Sequence, residues 1–153
     1  MITTTRRRLY SVALTMLVAL PLAHGGSLNG VWETVNERTG DVESLVRIFD
    51  AHGHIEGKVE RIFSPPSPTP NPLCGACVGE NKNKPIVGMT ILQAHPSTVA
   101  DAAEGDIFDP DEGKNYRCTL RVFDSGHKLE VRGFIGIALF GRTQIWLRHE
   151  STP

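Results

Sequence analysis

Alternation with a period of two is what most restricts the folding of this chain. Ile55, Gly57, Val59 and Arg61 fall on one side of an extended segment, and His54, Glu56, Lys58 and Glu60 on the other. Tyr116, Cys118, Leu120 and Val122 alternate with Arg117, Thr119 and Arg121, and Leu129, Val131 and Gly133 alternate with Lys128, Glu130 and Arg132. Successive side chains of a strand point to opposite faces, so each segment offers one apolar and one wet face. Helical spacing of apolar residues is scarce. The turn sequences Asp50-Ala51-His52-Gly53, Asp109-Pro110-Asp111-Glu112-Gly113 and Asp124-Ser125-Gly126 punctuate the segments. In the second of these, Asp109 is expected to bond backbone donors ahead of Pro110, with Gly113 closing the turn. About eight strands follow, near 30–36, 43–50, 54–63, 86–93, 103–108, 115–123, 128–135 and 142–149.

Eight sequential antiparallel strands leave two long unpaired edges unless the sheet closes on itself, and closure removes them. The fold class expected is therefore all-β, a small antiparallel up-and-down barrel over residues 26–153, with a two-sheet sandwich as the competing arrangement. Residues 64–85 interrupt the pattern with six of the ten prolines. Proline removes a backbone donor and fixes φ, so this stretch reads as an ordered surface loop and not an interior strand. Residues 94–104 read as a second loop.

Residues 1–25 read as a secretory signal. Arg6, Arg7 and Arg8 form a basic start, Ser11 to Ala23 is a short apolar run, and Ala23-His24-Gly25 places small residues for a cut before Gly26, with a cut after Ala23 as the alternative. The run is too short for a membrane-spanning helix, which needs about 20 apolar residues. The protein is thus expected in the bacterial periplasm or secreted, with no transmembrane span. Without the signal, 13 Lys and Arg face 17 Asp and Glu, a net charge of −4. An acidic chain of this kind lacks the clustered basic surface that nucleic-acid binding requires.

Several runs occur in a distinctive order: Gly30-Val31-Trp32, Cys74-Gly75-Ala76-Cys77-Val78-Gly79, Lys84-Pro85-Ile86-Val87-Gly88-Met89, Ile107-Phe108-Asp109-Pro110, Gly113 to Cys118, Val131 to Gly136, and Gly141 to Arg148. Together they resemble the family called domain of unknown function 2147, small exported bacterial proteins, over roughly residues 29–148. The resemblance implies export and a β-rich fold, and no established activity. The family often carries a tryptophan and paired glycines before its Ile-x-Asp-Pro step, where this chain has Ala100-Asp101-Ala102-Ala103-Glu104-Gly105. A looser resemblance is to lipocalin-like barrels, which begin with Gly-x-Trp on the first strand and cover the indole with a late arginine. That resemblance assigns barrel closure to Gly30, Trp32 and Arg148, by packing and cation–π attraction.

Sites for chemistry are few. Cys74 and Cys77 have the spacing of a thiol–disulfide exchanger, but that mechanism wants a strand–helix junction, and the flanks here are Pro- and Gly-rich. In an oxidising compartment a structural bridge between Cys74 and Cys77 is the favoured reading, with Cys77–Cys118 as the second choice. Cys118 shares a strand face with apolar residues and is expected to be buried and inert. His52-Gly53-His54 reads as a polar hairpin turn, with a soft surface metal ion as the alternative. The acids around Asp109 lack a calcium loop's twelfth-position carboxylate, because that position is Leu120. No metal or cofactor is assigned, and no nucleophile elbow, phosphate loop or His-Glu-x-x-His is present.

Two classes of function fit this composition. The first is a non-enzymatic barrel that holds a small apolar ligand or presents loops to an envelope protein. Its candidate lining is the inward set Val46, Ile48, Val59, Tyr116, Cys118, Leu120 and Val131, which disfavours polar substrates because burying unpaired polar groups is costly. The second is a redox enzyme working through the Cys74–Cys77 loop. The apolar stretch bracketed by Gly133, Gly136 and Gly141 is expected to cover one end of the core, with an exposed lip for lipid or a partner as the alternative.

Overall fold

A computed structural model describes residues 26–63 and 71–150. The signal-like residues 1–25 lie outside the described residues. Eight strands, β1 (Gly30–Val35), β2 (Val42–Asp50), β3 (Ile55–Ile62), β4 (Thr90–Pro96), β5 (Ala102–Asp109), β6 (Lys114–Phe123), β7 (Lys128–Phe134) and β8 (Arg142–Arg148), form a closed antiparallel barrel in sequential order. The seam is a short β1–β8 pairing, Trp32 opposite Arg148 and Glu33 opposite Leu147. Closure leaves no sheet edge for edge-to-edge association.

The alternation places Trp32, Val46, Ile48, Leu92, Leu120, Leu129, Val131 and Trp146 on the inward face, all nearly or fully buried in one cluster. The outward face carries ion pairs between neighbouring strands, Arg47 with Glu60 and Arg117 with Asp106. These are exposed and contribute little stability each, typically below about 1 kcal/mol.

Two expectations about the middle of the chain need correction. The strand expected from residue 86 begins at Thr90 and runs on to Pro96. Ile86 donates its N–H to the Pro72 carbonyl and Gly88, at φ +90°, donates to the Val59 carbonyl, so residues 86–89 are a turn and not a ladder. Apolar residues here satisfy two packing tasks, and periodicity alone does not separate them. The loop expected over 94–104 shrinks to a tight connection, because Ala94, His95 and Pro96 pair with Gly105, Glu104 and Ala103. Asp101, at φ +58°, makes the turn.

Antiparallel order assigns the connections to two ends. One end holds residues 26–29 and the β2–β3, β4–β5 and β6–β7 turns. The other holds the β1–β2, β3–β4, β5–β6 and β7–β8 connections, including both long ones. No helix among the described residues is long and apolar enough to cross a membrane.

Candidate functional site

The first end is closed by side chains. The Arg148 guanidinium lies 4.1 Å from the centre of the Trp32 ring. Its Nε donates to the Gly126 carbonyl at 2.5 Å, Nη1 to Asn29 at 3.0 Å and Nη2 to Ser27 at 2.5 Å. Trp32 itself donates Nε1–H to the Leu28 carbonyl at 2.8 Å. Gly30 sits at φ +143°, and a Cβ there would meet Arg148 Nη1. Only glycine allows both the backbone angle and the approach of the guanidinium. The three residues assigned to closure thus meet at one place, and the same fork ties the segment before β1 to the β6–β7 turn.

The second end carries the loops. The β3–β4 connection folds on itself: Cys74 N–H donates to the Lys84 carbonyl, Asn83 N–H to the Cys74 carbonyl, and Leu73 bridges Pro85. Cys74 and Cys77 form a disulfide with Cα atoms 5.3 Å apart, and both residues are buried. The Cys74 Sγ rests 3.2 Å from the Pro110 carbonyl oxygen. Ala76 lies against Gly113, whose φ is +66° and whose Cβ, if present, would overlap the Ala76 carbonyl. The disulfide loop is therefore docked on the β5–β6 turn. Asp109 accepts the N–H groups of Asp111 and Glu112 at 2.9 and 3.2 Å through Oδ1, and Gly113 donates to the Asp109 carbonyl. This buried, capped bridge has the surroundings of a structural staple, because exchange requires an accessible sulfur.

Cys118 is free and buried. Burial and, secondarily, the nearby Asp106 carboxylate push its thiol up to about 12. A thiol this high is protonated at neutral pH and inert as a nucleophile. Alkylation at about pH 8 is expected to modify Cys118 only after unfolding, as mass spectrometry of native and denatured samples would register. The raised value also has a linkage consequence: its stabilising effect is intact below the unfolded thiol's pKa of about 8.5 and is lost as pH rises toward about 12, because the unfolded chain releases the proton first. Denaturation midpoints of the wild type, compared with Cys118→Ala across that range, test the sign.

Around the second end the surface turns apolar. Phe63, Leu73, Val78, Ile135, Ile137, Leu139 and Phe140 are seven of the nine exposed large apolar side chains among the described residues, and all seven belong to this end's connections. Leu139 and Phe140 are 77% and 79% exposed. The lip that bears them is held from behind. Arg132 donates to the Ala138 carbonyl through Nε at 3.0 Å and Nη2 at 2.6 Å, and to Thr143 Oγ1 at 2.8 Å. Backbone groups are satisfied inward, and the side chains are left outward.

Between this rim and the outer wall lies a recess of about 330 Å³, lined by Val78, Asn81, Ile91, Gln93, Asp106 and Phe108. The barrel mouth at this end carries polar pairs. Thr34 and Ser44 hydroxyls are 2.7 Å apart, Arg142 pairs with Glu37 at 3.3 Å, and Tyr116 donates to Glu112. That hydrogen bond, aided by Lys114, lowers the Glu112 carboxyl, whereas burial and then Asp109 and Glu43 raise Asp111. Of the candidate lining residues, Val46, Ile48, Val59, Cys118, Leu120 and Val131 pack within the buried cluster, and Tyr116 is half-buried at the mouth.

A family profile described as "Uncharacterized protein conserved in bacteria (DUF2147)" matches residues 30–148. The chain belongs to the DUF2147 family. The matched span begins at the first residue of β1 and ends at the last of β8, so the DUF2147 unit coincides with the closed barrel. No curated protein matches the chain. Among solved structures it is similar to protein HP1028 from the human pathogen Helicobacter pylori, described as belonging to the lipocalin family. The TM-score is 0.67 at 16% identity, covering 82% of this chain and 84% of that one. At that identity the likeness is one of fold: this DUF2147 member has a lipocalin-like barrel.

Sequence reasoning missed the recess under the disulfide loop and the gathering of the apolar rim at one end. The rim's strongest signal was the Ile135–Phe140 stretch between glycines, whose favoured placement was a cover over one end of the core; its large side chains are instead exposed, as a lip. Phe63, Leu73 and Val78 lack any local pattern.

Proposed function

We propose that this protein is an exported, non-enzymatic binder that takes a small ligand with an apolar body at the loop-bearing end of its barrel. In this reading residues 1–25 are an export signal, residues 26–153 the mature protein, and the compartment the periplasm or the exterior. The concentration of exposed apolar side chains in the connections of one end carries the reading, since large apolar surface left in water commonly marks a binding site. The adjoining recess has the volume of a small-ligand site, about 300–1,000 Å³ for typical cases. Val78, Ile91 and Phe108 supply its apolar contacts, and Asn81, Thr90, Gln93, Asp106 and Asn115 supply polar groups that fix orientation. The recess lies under the disulfide loop on the outer wall, so a ligand reaches it from the loop-bearing end, away from the Trp32–Arg148 closure.

Native mass spectrometry of protein purified from its own cell envelope is the test, followed by titration with an anionic naphthalene fluorophore. A small co-purifying molecule or saturable fluorophore binding is expected. The double substitution Leu139→Ser, Phe140→Ser is expected to weaken that binding by about tenfold or more, some 1.4 kcal/mol. The melting temperature should barely move, because both side chains are exposed. A ligand-free mass together with no fluorophore binding would overturn the proposal.

A further inference from the structure

His54 and His95 meet on the outer wall at the closed end, far from the rim. The β2–β3 hairpin is made by His52 and Gly53, at φ +61° and +89°, the left-handed pair that tight two-residue hairpins require. That turn delivers His54 beside the start of β3. Because Ile55 pairs with Ala94, His54 stands across from His95 of β4. The two Nδ1 atoms are 3.0 Å apart and the rings are edge-on, with an interplanar angle of 74°. Both residues are exposed.

One further donor shares this row. His95 pairs with Glu104 of β5, and alternation puts Glu104 on the same outer face. Side chains directly opposite on neighbouring strands have Cβ atoms about 4.5–5.5 Å apart. Glu104 is exposed, so its carboxylate is free to rotate toward the imidazole. Among the described residues no three His, Cys, Asp or Glu side chains stand together close enough to hold an ion as they are placed. The histidine pair is already assembled, and Glu104 needs only a rotamer change.

We propose that His54 and His95, with Glu104 as the third donor, form a surface site for a late first-row divalent cation such as Cu²⁺ or Zn²⁺. Two imidazole nitrogens bound to one such ion at about 2.0–2.1 Å lie roughly 3 Å apart, the spacing the fold has set. Without metal, one Nδ1 donates its proton to the other; the ion takes both Nδ1 lone pairs, and the displaced proton passes through solvent to the Nε2 of the same ring, leaving both imidazoles neutral. Water fills the remaining positions. Imidazole with one carboxylate suits copper and zinc, and the order of affinities favours copper. The site is independent of ligand binding at the rim.

The test is calorimetric titration of the purified protein with Cu²⁺ and, separately, Zn²⁺, with imidazole resonances followed by NMR during the Zn²⁺ titration. One equivalent is expected to bind, shifting the His54 and His95 ring signals and leaving His127, on another turn of the same end, unmoved. His54→Ala and His95→Ala should each raise the Kd by about tenfold or more, and Glu104→Gln by several-fold. All three residues are exposed, so these variants should keep the wild-type melting temperature. Absence of binding to the wild type, or equal affinity in His95→Ala, would overturn the assignment.

Discussion

Replacing Trp32 with alanine is expected to remove about 3–5 kcal/mol of stability, the usual loss for a large buried aromatic. Trp32 is fully buried, so the lost transfer energy is added to a cavity at the end of the barrel that Trp32 and Arg148 close. The indole also supports the Arg148 guanidinium 4.1 Å away and donates to Leu28. Its removal leaves Arg148 over a void and frees residues 26–29. Small domains have a net stability of about 5–15 kcal/mol, so the variant should stay folded only marginally at 37 °C. Urea denaturation followed by Trp146 fluorescence gives the measurement. Arg148→Met keeps a long apolar stem but removes three hydrogen bonds and the ring contact, and should cost less, about 1–3 kcal/mol. The double variant should fall short of the sum, because each single substitution already breaks the shared contact. A loss below about 1 kcal/mol for Trp32→Ala would show that β1 and β8 are not closed through this residue.

Substituting Gly113 with valine is the second large effect. Its φ of +66° is unfavourable for a β-branched residue, by roughly 1–2 kcal/mol. A Cβ there would also overlap the Ala76 carbonyl, and backbone cannot yield as a flexible side chain does. Overpacking of this kind costs about 1–3 kcal/mol more. The whole should be about 2–5 kcal/mol, and it should act on one place: the disulfide loop lifts from the β5–β6 turn and Cys74 leaves the Pro110 carbonyl. Two readouts separate this from general destabilisation. The Cys74–Cys77 bridge should be reduced faster by dithiothreitol under native conditions, and amide exchange should quicken in residues 71–89 before the rest of the barrel. Unchanged reduction kinetics in Gly113→Val would mean that the loop is held elsewhere.

Much of the architecture is local and was legible from residue order. Period-two alternation in β3, β6 and β7 sets which side chains face inward, because the pleat permits nothing else. The hairpin at His52 and Gly53 and the Asp109–Gly113 turn were legible because their residues favour the backbone angles or the side-chain-to-backbone bonds those turns use. The Cys74–Cys77 bridge was legible because three-residue spacing already brings the thiols within reach. The β4 boundaries were not legible. Ile86, Val87 and Met89 are as apolar as strand residues, and only the contacts of Ile86 with Pro72 and of Gly88 with Val59 make them a turn. The β5 strand was legible to within a residue at each end, expected near 103–108 and found over Ala102–Asp109, where Ala102 and Ala103 pair with Arg121 and Leu120.

The candidate sites lie on the other side of that division. His54 and His95 are 41 positions apart, and their meeting depends on a register that slips between Gly57 and Lys58. The rim gathers residues of the β3–β4 and β7–β8 connections, which share an end only because the strands run up and down around a closed barrel. By itself the sequence determined strands, turns, the inward faces and the short-range disulfide, since those follow from the conformational preferences of neighbouring residues. Only the tertiary structure decided which distant side chains meet, because register, bulges and loop docking are chosen by the cooperative packing of the whole barrel and are encoded at no single position.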